Sequence, residues 1–113
     1  MKFHGKNTIR VREGIEFRKH GGNVKRLINQ ETVGSKKLTV SIVFLNPGEE
    51  VIPNKHEDEE AFFFIQGQGL ATVEGYGETS IEKNVALWVP SNAEHTFRNT
   101  GDEPLISVAC KAL

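Results

Sequence analysis

Short runs of β-branched and aromatic residues, each ended by a turn, constrain the fold of this 113-residue chain more than any other feature. The first run, at residues 37–45, alternates with the period of two that a strand requires. Its apolar residues on one face are Leu38, Val40, Ile42 and Phe44. Six further runs lie at 60–66, 70–74, 79–82, 85–89, 95–98 and 105–110. Gly, Pro and Asn between the runs supply the reversals of tight turns. Many short strands and no convincing long helix predict an all-β sandwich or barrel.

The first 35 residues have a weaker pattern. Segments 8–12 and 24–28 could be strands, but no strong periodicity fixes them, and an N-terminal arm is the alternative. No internal repeat, linker or low-complexity tract divides the chain, and its length is sufficient for one core only. We therefore predict a single domain over residues 1–113.

Charge is distributed unevenly along the chain. Residues 1–40 hold ten Lys/Arg against three Asp/Glu, a net charge of +7, whereas residues 41–113 hold four against twelve, a net charge of −8. A basic arm can bind nucleic acid. No aromatic platform is interleaved with these cations, however, and Val11, Phe17 and Leu27 are typical packing residues. We therefore expect no nucleic-acid partner, and we interpret the asymmetry as charge complementarity within the fold or within a dimer.

Membrane segments and disulfide chemistry are not expected. No window approaches eighteen apolar residues, and the N-terminus lacks the apolar core of a signal peptide. This predicts no membrane partner and a cytoplasmic location. The one cysteine, Cys110, cannot form an internal disulfide, and its apolar surroundings in the sequence predict an inert thiol in the core.

The segment 48–67 raises the question of a metal site, because it places one histidine and six acidic residues ahead of an apolar run. In an extended backbone without a bulge, alternation puts five of its side chains on one face. They are Asn54, His56, Glu60, Phe62 and Phe64. A second histidine, His95, begins another predicted strand 39 residues after the first. Imidazole and carboxylate groups are donors for first-row metals, although a single histidine is more often structural.

The spacing of these residues resembles the first motif of the cupins. That motif is a glycine, five residues, His-x-His, three or four residues, a glutamate, six residues and a glycine. The matching positions here are Gly48, Asn54, His56, Glu60 and Gly67. Asn54 therefore stands where the family has its first histidine.

The second cupin motif is also present at the correct separation. It is a glycine, five residues, Pro-x-Gly, two residues, a histidine, three residues and an asparagine. The matching positions are Asn84, Pro90, Asn92, His95 and Asn99. Both glycines are replaced by asparagine, a residue that also tolerates left-handed backbone geometry.

The resemblance covers residues 36–110, after an arm or strands at 1–35, and implies a cupin-type double-stranded β-helix, a small jelly-roll barrel. It also implies a divalent transition metal held by His56, Glu60 and His95, with Asn54 at the position of the absent histidine. Iron, manganese, nickel, zinc and copper are all open as the metal. An amide oxygen is a weaker ligand than imidazole, so metal affinity should be reduced, and a cupin that has lost its metal is the alternative.

The acidic residues beside His56 have a simpler explanation. Glu57, Asp58 and Glu59 are expected on a turn, as a solvated charge run. One of them could nevertheless replace a ligand if the loop turned inward.

Family members that this chain resembles act on small, oxygen-rich metabolites, and the resemblance implies a metal-dependent enzyme such as a dioxygenase or an isomerase. The fold alone cannot choose among these reactions. A non-catalytic module that binds or senses a small metabolite is the alternative, and a metal-free isomerase using His95 and Glu60 is a third. The aromatic candidates for a substrate pocket, equally explained as core, are Phe62, Phe64, Phe97 and Trp88.

The chain is also expected to form a homodimer. Its basic arm carries apolar residues that could cover the sheet edge of a neighbouring copy and so protect that edge from aggregation. They are Ile9, Val11, Ile15 and Phe17.

Overall fold

Antiparallel strands make up more than half of the protein, which a computed structural model describes over residues 2–113. Two short helical segments lie near the N-terminus, a 3-10 turn at Val11–Glu13 and the helix α1 at Gln30–Val33. The strands are β1 (Ile15–Lys19), β2 (Gly22–Ile28), β3 (Leu38–Leu45), β4 (Glu50–Asn54), β5 (Glu59–Gln66), β6 (Gln68–Val73), β7 (Gly77–Glu82), β8 (Ala86–Val89), β9 (His95–Asn99) and β10 (Leu105–Ala112).

The strands form two sheets, ordered β1-β2-β3-β10-β5-β8 and β4-β9-β6-β7. Such a double-sheet arrangement is a jelly roll, and the predicted all-β fold is confirmed. Alternate residues of each strand point between the sheets. At the centre, Phe64 and Phe97 are 0% and 2% exposed and meet edge to face with ring centroids 5.4 Å apart. Burying each such ring stabilises the fold by about 2 to 3 kcal/mol.

The predicted runs and the observed strands agree from residue 37 onward, with one omission. The sequence pattern did not identify β4, a short edge strand that contains Pro53. Proline is tolerated on an edge strand because the missing N–H is not needed by a neighbour. In the N-terminal region, β2 contains the predicted segment 24–28, whereas the possible strand at 8–12 is wrong, since its last two residues enter the 3-10 turn.

The strands of the N-terminal region pair within the same chain. β1 pairs with β2, and β2 pairs with β3, so the hairpin extends the larger sheet. Phe17 packs against the core rather than projecting toward a neighbour. This corrects the expectation of an uncommitted arm, because β1 is itself the edge of the sheet.

The turn of this hairpin fixes its position over one end of the barrel. His20 and Gly21 both have positive φ, 51° and 85°. A Cβ on Gly21 would lie 2.4 Å from the carbonyl oxygen of Glu50, so only glycine allows this approach to β4. The N–H of Ile52 donates to the carbonyl of His20 at 2.6 Å, which ties the turn to the smaller sheet. Side chains at the end of β1 therefore reach the barrel mouth.

The outer face of the larger sheet differs from expectation at Cys110. This residue is exposed, because alternation along β10 directs Ser107 and Ala109 inward instead. The prediction of a core thiol is therefore wrong.

Among residues 2–113, no helix has the length and apolar character to cross a membrane.

Candidate metal centre

Three side chains predicted as metal ligands converge inside the barrel. His56 lies in the loop between β4 and β5, Glu60 lies on β5, and His95 begins β9. One potential ligand atom from each residue lies within 4.8 Å of the other two. Glu60 Oε1 is 3.1 Å from His56 Nε2 and 3.7 Å from His95 Nε2. The larger sheet thus supplies the carboxylate, and the smaller sheet and the adjoining loop supply the imidazoles.

Backbone contacts orient both imidazoles. His56 Nδ1 lies 2.9 Å from the carbonyl of Asp58, and His95 Nδ1 lies 3.0 Å from the carbonyl of Ala93. A carbonyl can only accept, so each Nδ1 carries a proton and donates it. In the neutral imidazole, Nε2 then presents a lone pair toward the cluster, as metal-bound histidines do. The donor set therefore fits a divalent transition metal.

One asparagine of the second motif, Asn92, holds the loop that carries His56. Asn84 and Asn92 have φ of 73° and 62°, so the expected left-handed geometry is present at both positions. The N–H of Asn92 donates to the carbonyl of His56 at 2.8 Å. The turn after β8 consequently supports the loop that carries one of the candidate ligands.

His95 and Glu60 also influence one another's ionisation. Burial by itself lowers the pKa of His95, but its hydrogen bonds to Glu60 and to the Ala93 carbonyl outweigh burial and hold that pKa above its usual value. Burial raises the pKa of Glu60, whereas the hydrogen bond to His95 and the positive charge of Lys111 lower it, and the net direction is down. A cation, whether a proton or a metal, is therefore favoured at this cluster.

Asn54 lies beside the cluster, but its side-chain amide nitrogen is engaged in a hydrogen bond outside the cluster. It is the Cα partner of His95 across the β4–β9 pair, and it lines the internal cavity. Its Nδ2 donates to the carbonyl of Ile52 at 2.8 Å, which leaves Oδ1 as the atom with which it could reach a metal. The acidic residues of the loop do not join the cluster of three: Glu57 and Glu59 are exposed, and Asp58 contributes only its carbonyl.

The candidate pocket aromatics are divided between three locations. Phe62 lines the cavity, whereas Phe64 and Phe97 pack in the core and do not line it. Trp88 does not line the barrel interior: alternation on β8 points it outward, and it is 52% exposed. There it packs edge to face against Tyr76 and donates to Glu59 Oε1 at 2.9 Å.

The cavity around the cluster has a volume of about 70 Å³. It also contains residues that the sequence patterns did not single out. They are Lys19, His20, Arg26, Thr39, Ser41 and Lys111. All six lie on, or next to, strands of the larger sheet whose contribution to the cavity depends on tertiary pairing. Lys111, for example, is the Cα partner of Glu60 although 51 residues separate them in sequence.

Two packed sheets that enclose a carboxylate and two imidazoles define a jelly-roll protein with a metal-type donor set in its interior. The cupin domain model matches residues 41–109 of this chain, which is more than half of its length. The chain therefore belongs to the cupin family.

Relatives within this family differ in their described roles. The chain is 31% identical over 97 residues to a polyketide synthase protein, CurC, from Streptomyces cyaneus, covering 85% of this chain and 62% of the relative. It is 30% identical over 71 residues to the dimethylsulfoniopropionate lyase DddW from Ruegeria pomeroyi, covering 63% and 46%. The chain thus spans less than two thirds of the length of both relatives.

Solved structures confirm the fold. A protein from Thermotoga maritima, described as a predicted oxalate decarboxylase, superposes with a TM-score of 0.82 at 23% identity. The match covers 95% of this chain and 99% of that one. At this identity the likeness concerns the fold alone.

Proposed function

We propose that this cupin binds one divalent transition metal through His56, Glu60 and His95 and acts as an enzyme on a small, oxygen-rich metabolite. The observation that carries the proposal is the orientation of the two imidazoles. Both present Nε2 to the same oxygen of Glu60 while Nδ1 is held by a backbone carbonyl. When both imidazoles are neutral, their Nε2 lone pairs and the anionic oxygen repel one another in this partly buried site unless a cation, a proton or a metal, lies between them.

A bound metal would supply Lewis-acid polarisation of a substrate oxygen and would lower the pKa of a hydroxyl or enol. The protein residues would hold the substrate and limit the access of water to the centre. His95 and Glu60 are 3% and 13% exposed, whereas His56 is 24% exposed, so solvent approaches the centre from the His56 side. Phe62 forms an apolar wall next to the donors. A substrate would therefore enter past His56 and place its polar end at the centre.

His20 is the proposed group for moving a proton during the reaction. It lines the cavity without belonging to the cluster of three donors. Desolvation, followed by the charge of Lys19, holds the pKa of His20 below its usual value, so the imidazole is neutral near pH 7 and able to accept a proton. The backbone contact between His20 and Ile52 keeps it at the mouth.

The named relatives support catalysis without fixing the reaction. One is a polyketide synthase protein and the other a lyase. For this chain, the dioxygenase and isomerase types remain the proposed classes. The two-histidine, one-carboxylate set with open positions is that of non-haem iron oxygenases, and an isomerase would use the metal to polarise a substrate oxygen. Asn54 favours one alternative, a non-catalytic binding module, because replacing the fourth ligand by an amide weakens the site.

The test begins with metal content. Purified protein reconstituted with Fe²⁺, Mn²⁺, Ni²⁺ or Zn²⁺ should carry up to one metal per chain by elemental analysis. His95→Ala should lose most of it, while His4→Ala, an exposed histidine outside the cavity, should not. A metal-free wild type after reconstitution, or full metal content in His95→Ala, would refute the site.

Activity is then tested on the same loaded protein. Catechols, flavonols and small keto acids are offered while oxygen consumption and product formation are followed. Turnover that disappears in His95→Ala supports the enzyme, and His20→Asn should lower kcat with unchanged metal content. Binding of such compounds without turnover by any loaded form would favour the non-catalytic module.

A further inference from the structure

The larger sheet, which also supplies Glu60, makes its part of the cavity strongly basic. Lys19 ends β1, Arg26 lies on β2 and Lys111 lies on β10, and all three line the cavity together with the single carboxylate of Glu60. The three cations and the one carboxylate together give a net charge of +2, and a bound divalent metal would raise it to +4. A cavity with this charge attracts and retains an anion.

Arg26 is the most informative of the three cations. Its Nε is buried and has no hydrogen-bond partner, and no carboxylate lies within 4.0 Å of its guanidinium among residues 2–113. On one side of the guanidinium lies the aromatic ring of Phe17, whose centroid is 5.2 Å from Arg26 Cζ. A buried, unsatisfied guanidinium nitrogen is costly in a native structure and calls for an explanation.

Lys19 lies close enough to the other two cations to be influenced by them. Desolvation, followed by repulsion from Lys111 and from Arg26, holds the pKa of Lys19 below its usual value. Like charges brought together at one cavity wall cost free energy unless a counter-ion is bound there. Glu60 pairs with Lys111 across β10 and β5 and also attracts Lys19 and Arg26, but among residues 2–113 neither of these two cations has a carboxylate oxygen within 4.0 Å.

Hydroxyl groups complete the same wall. Thr39 and Ser41 on β3 point inward, are 6% and 5% exposed, and line the cavity. Ser41 is the Cα partner of Arg26 on β2. A guanidinium beside hydroxyl donors is suited to a planar oxyanion, since arginine binds carboxylates through two parallel hydrogen bonds.

We propose that the cavity selects a small carboxylate, whose anionic group binds to Arg26, with Lys19 and Lys111 neutralising its charge and Ser41 as a further hydrogen-bond partner. This rests on the proposed function, of which it names the substrate class. A volume of about 70 Å³ corresponds to space for about five water molecules. The carboxylate and the few atoms next to it fit inside, while a larger substituent extends through the mouth beside His56.

The test compares propionate with its neutral analogue propionamide. Zinc-loaded protein is titrated with each while amide ¹H–¹⁵N chemical shifts are followed by NMR. Propionate should produce saturable shifts around Arg26 and Ser41, and propionamide should bind at least about tenfold more weakly, since it lacks the charge. Equal affinities for the two compounds would overturn the proposal. Tighter binding of inorganic phosphate than of propionate would overturn the carboxylate assignment.

Variants locate the binding group. Arg26→Gln should weaken propionate binding roughly tenfold, the loss of a charge-assisted contact. The matched control is Arg98→Gln, which removes an exposed arginine of β9 outside the cavity and should bind as the wild type does. Unchanged affinity in Arg26→Gln would contradict the assignment. If that variant does not fold, Lys19→Gln, at an exposed position of the mouth, should also weaken binding, and unchanged affinity there would count equally against it.

Metal analysis separates this proposal from the function on which it rests. Arg26→Gln and Lys19→Gln should keep the zinc of the wild type, whereas His95→Ala should lose it. If the wild type binds no metal, the proposed function fails, and the same propionate titration of the metal-free protein still decides whether Arg26 binds a carboxylate.

Discussion

Asn54 is the residue at which the candidate site departs from the family pattern. Replacing it by histidine should tighten metal binding by tenfold or more, because imidazole is a better ligand than an amide oxygen and residue 54 lies opposite His95 across the β4–β9 pair. Competition against a chromogenic chelator measures the change. Asn54→Ala is the matched control, and it should bind metal no more tightly than the wild type. Unchanged or lower affinity in Asn54→His would place residue 54 outside the ligand set.

Asn99, the last residue of the second motif, is a structural residue. It is 3% exposed, its Nδ2 donates to the carbonyls of Leu45 and Glu103 at 2.9 and 2.7 Å, and its Oδ1 accepts from the N–H of Gly101 at 2.9 Å. Asn99→Ala should therefore lower the free energy of unfolding by about 2 to 3 kcal/mol, since buried backbone groups lose their partners. Urea denaturation measures this. The exposed Asn7→Ala should change stability little, and a similar effect of both substitutions would contradict the role.

Some residues of the candidate site could be assigned to it from the sequence, and others could not. His56 and Glu60 could be placed on one face, because alternation depends on local backbone geometry, and His95 could be added through its place in the second cupin motif. Trp88 points outward rather than into the expected pocket. The sequence could not show this, because alternation along a strand does not by itself say which of its two faces is inside. Lys19 and Arg26 could not be assigned to the cavity, because their positions depend on the pairing of β1 and β2 with the larger sheet.

Among the structural elements, the turn between β8 and β9 links backbone conformation to the site. Asn92 has a φ of 62° and donates its N–H to the carbonyl of His56. Asn92→Ala should lower the free energy of unfolding by about 1 kcal/mol, because alanine tolerates left-handed geometry less well, whereas Asn92→Gly should be close to neutral. Urea denaturation of the metal-free protein distinguishes the two. Equal effects of the two substitutions would show that backbone conformation is not the cause.

At the same scale, the strands with strong alternation were predictable and those without it were not. β3 and β5 have clear runs of β-branched or aromatic residues, and both were found where expected. β4 is interrupted by proline, and β1 is largely charged, so each becomes a strand through its partner rather than through its own pattern. The alternation of β3 was correct, but its more polar face, including Thr39 and Ser41, points into the cavity.

For the whole molecule, the apolar face of β3 continues across the outside of the larger sheet. Val108 on β10 has Ile42 and Phe63 as its Cα partners on either side, so an apolar row crosses three central strands. Phe63, Ile65 and Leu38 are between 42% and 47% exposed. An antiparallel sheet with a solvated face normally carries polar residues there, so this outer face requires a covering layer.

A second copy of the chain is the expected cover, in place of the arm contact first expected. Two such faces packed about a two-fold axis bury one another in a closed assembly. Light scattering should then give about twice the chain mass of 12.6 kDa. Phe63→Lys, which places a charge in the middle of the face, should give the monomer mass, while Ile52→Lys, a substitution of a residue 53% exposed on the other sheet, should leave the dimer intact. A monomeric wild type, or a dimer that persists in Phe63→Lys, would contradict a dimer formed through this face.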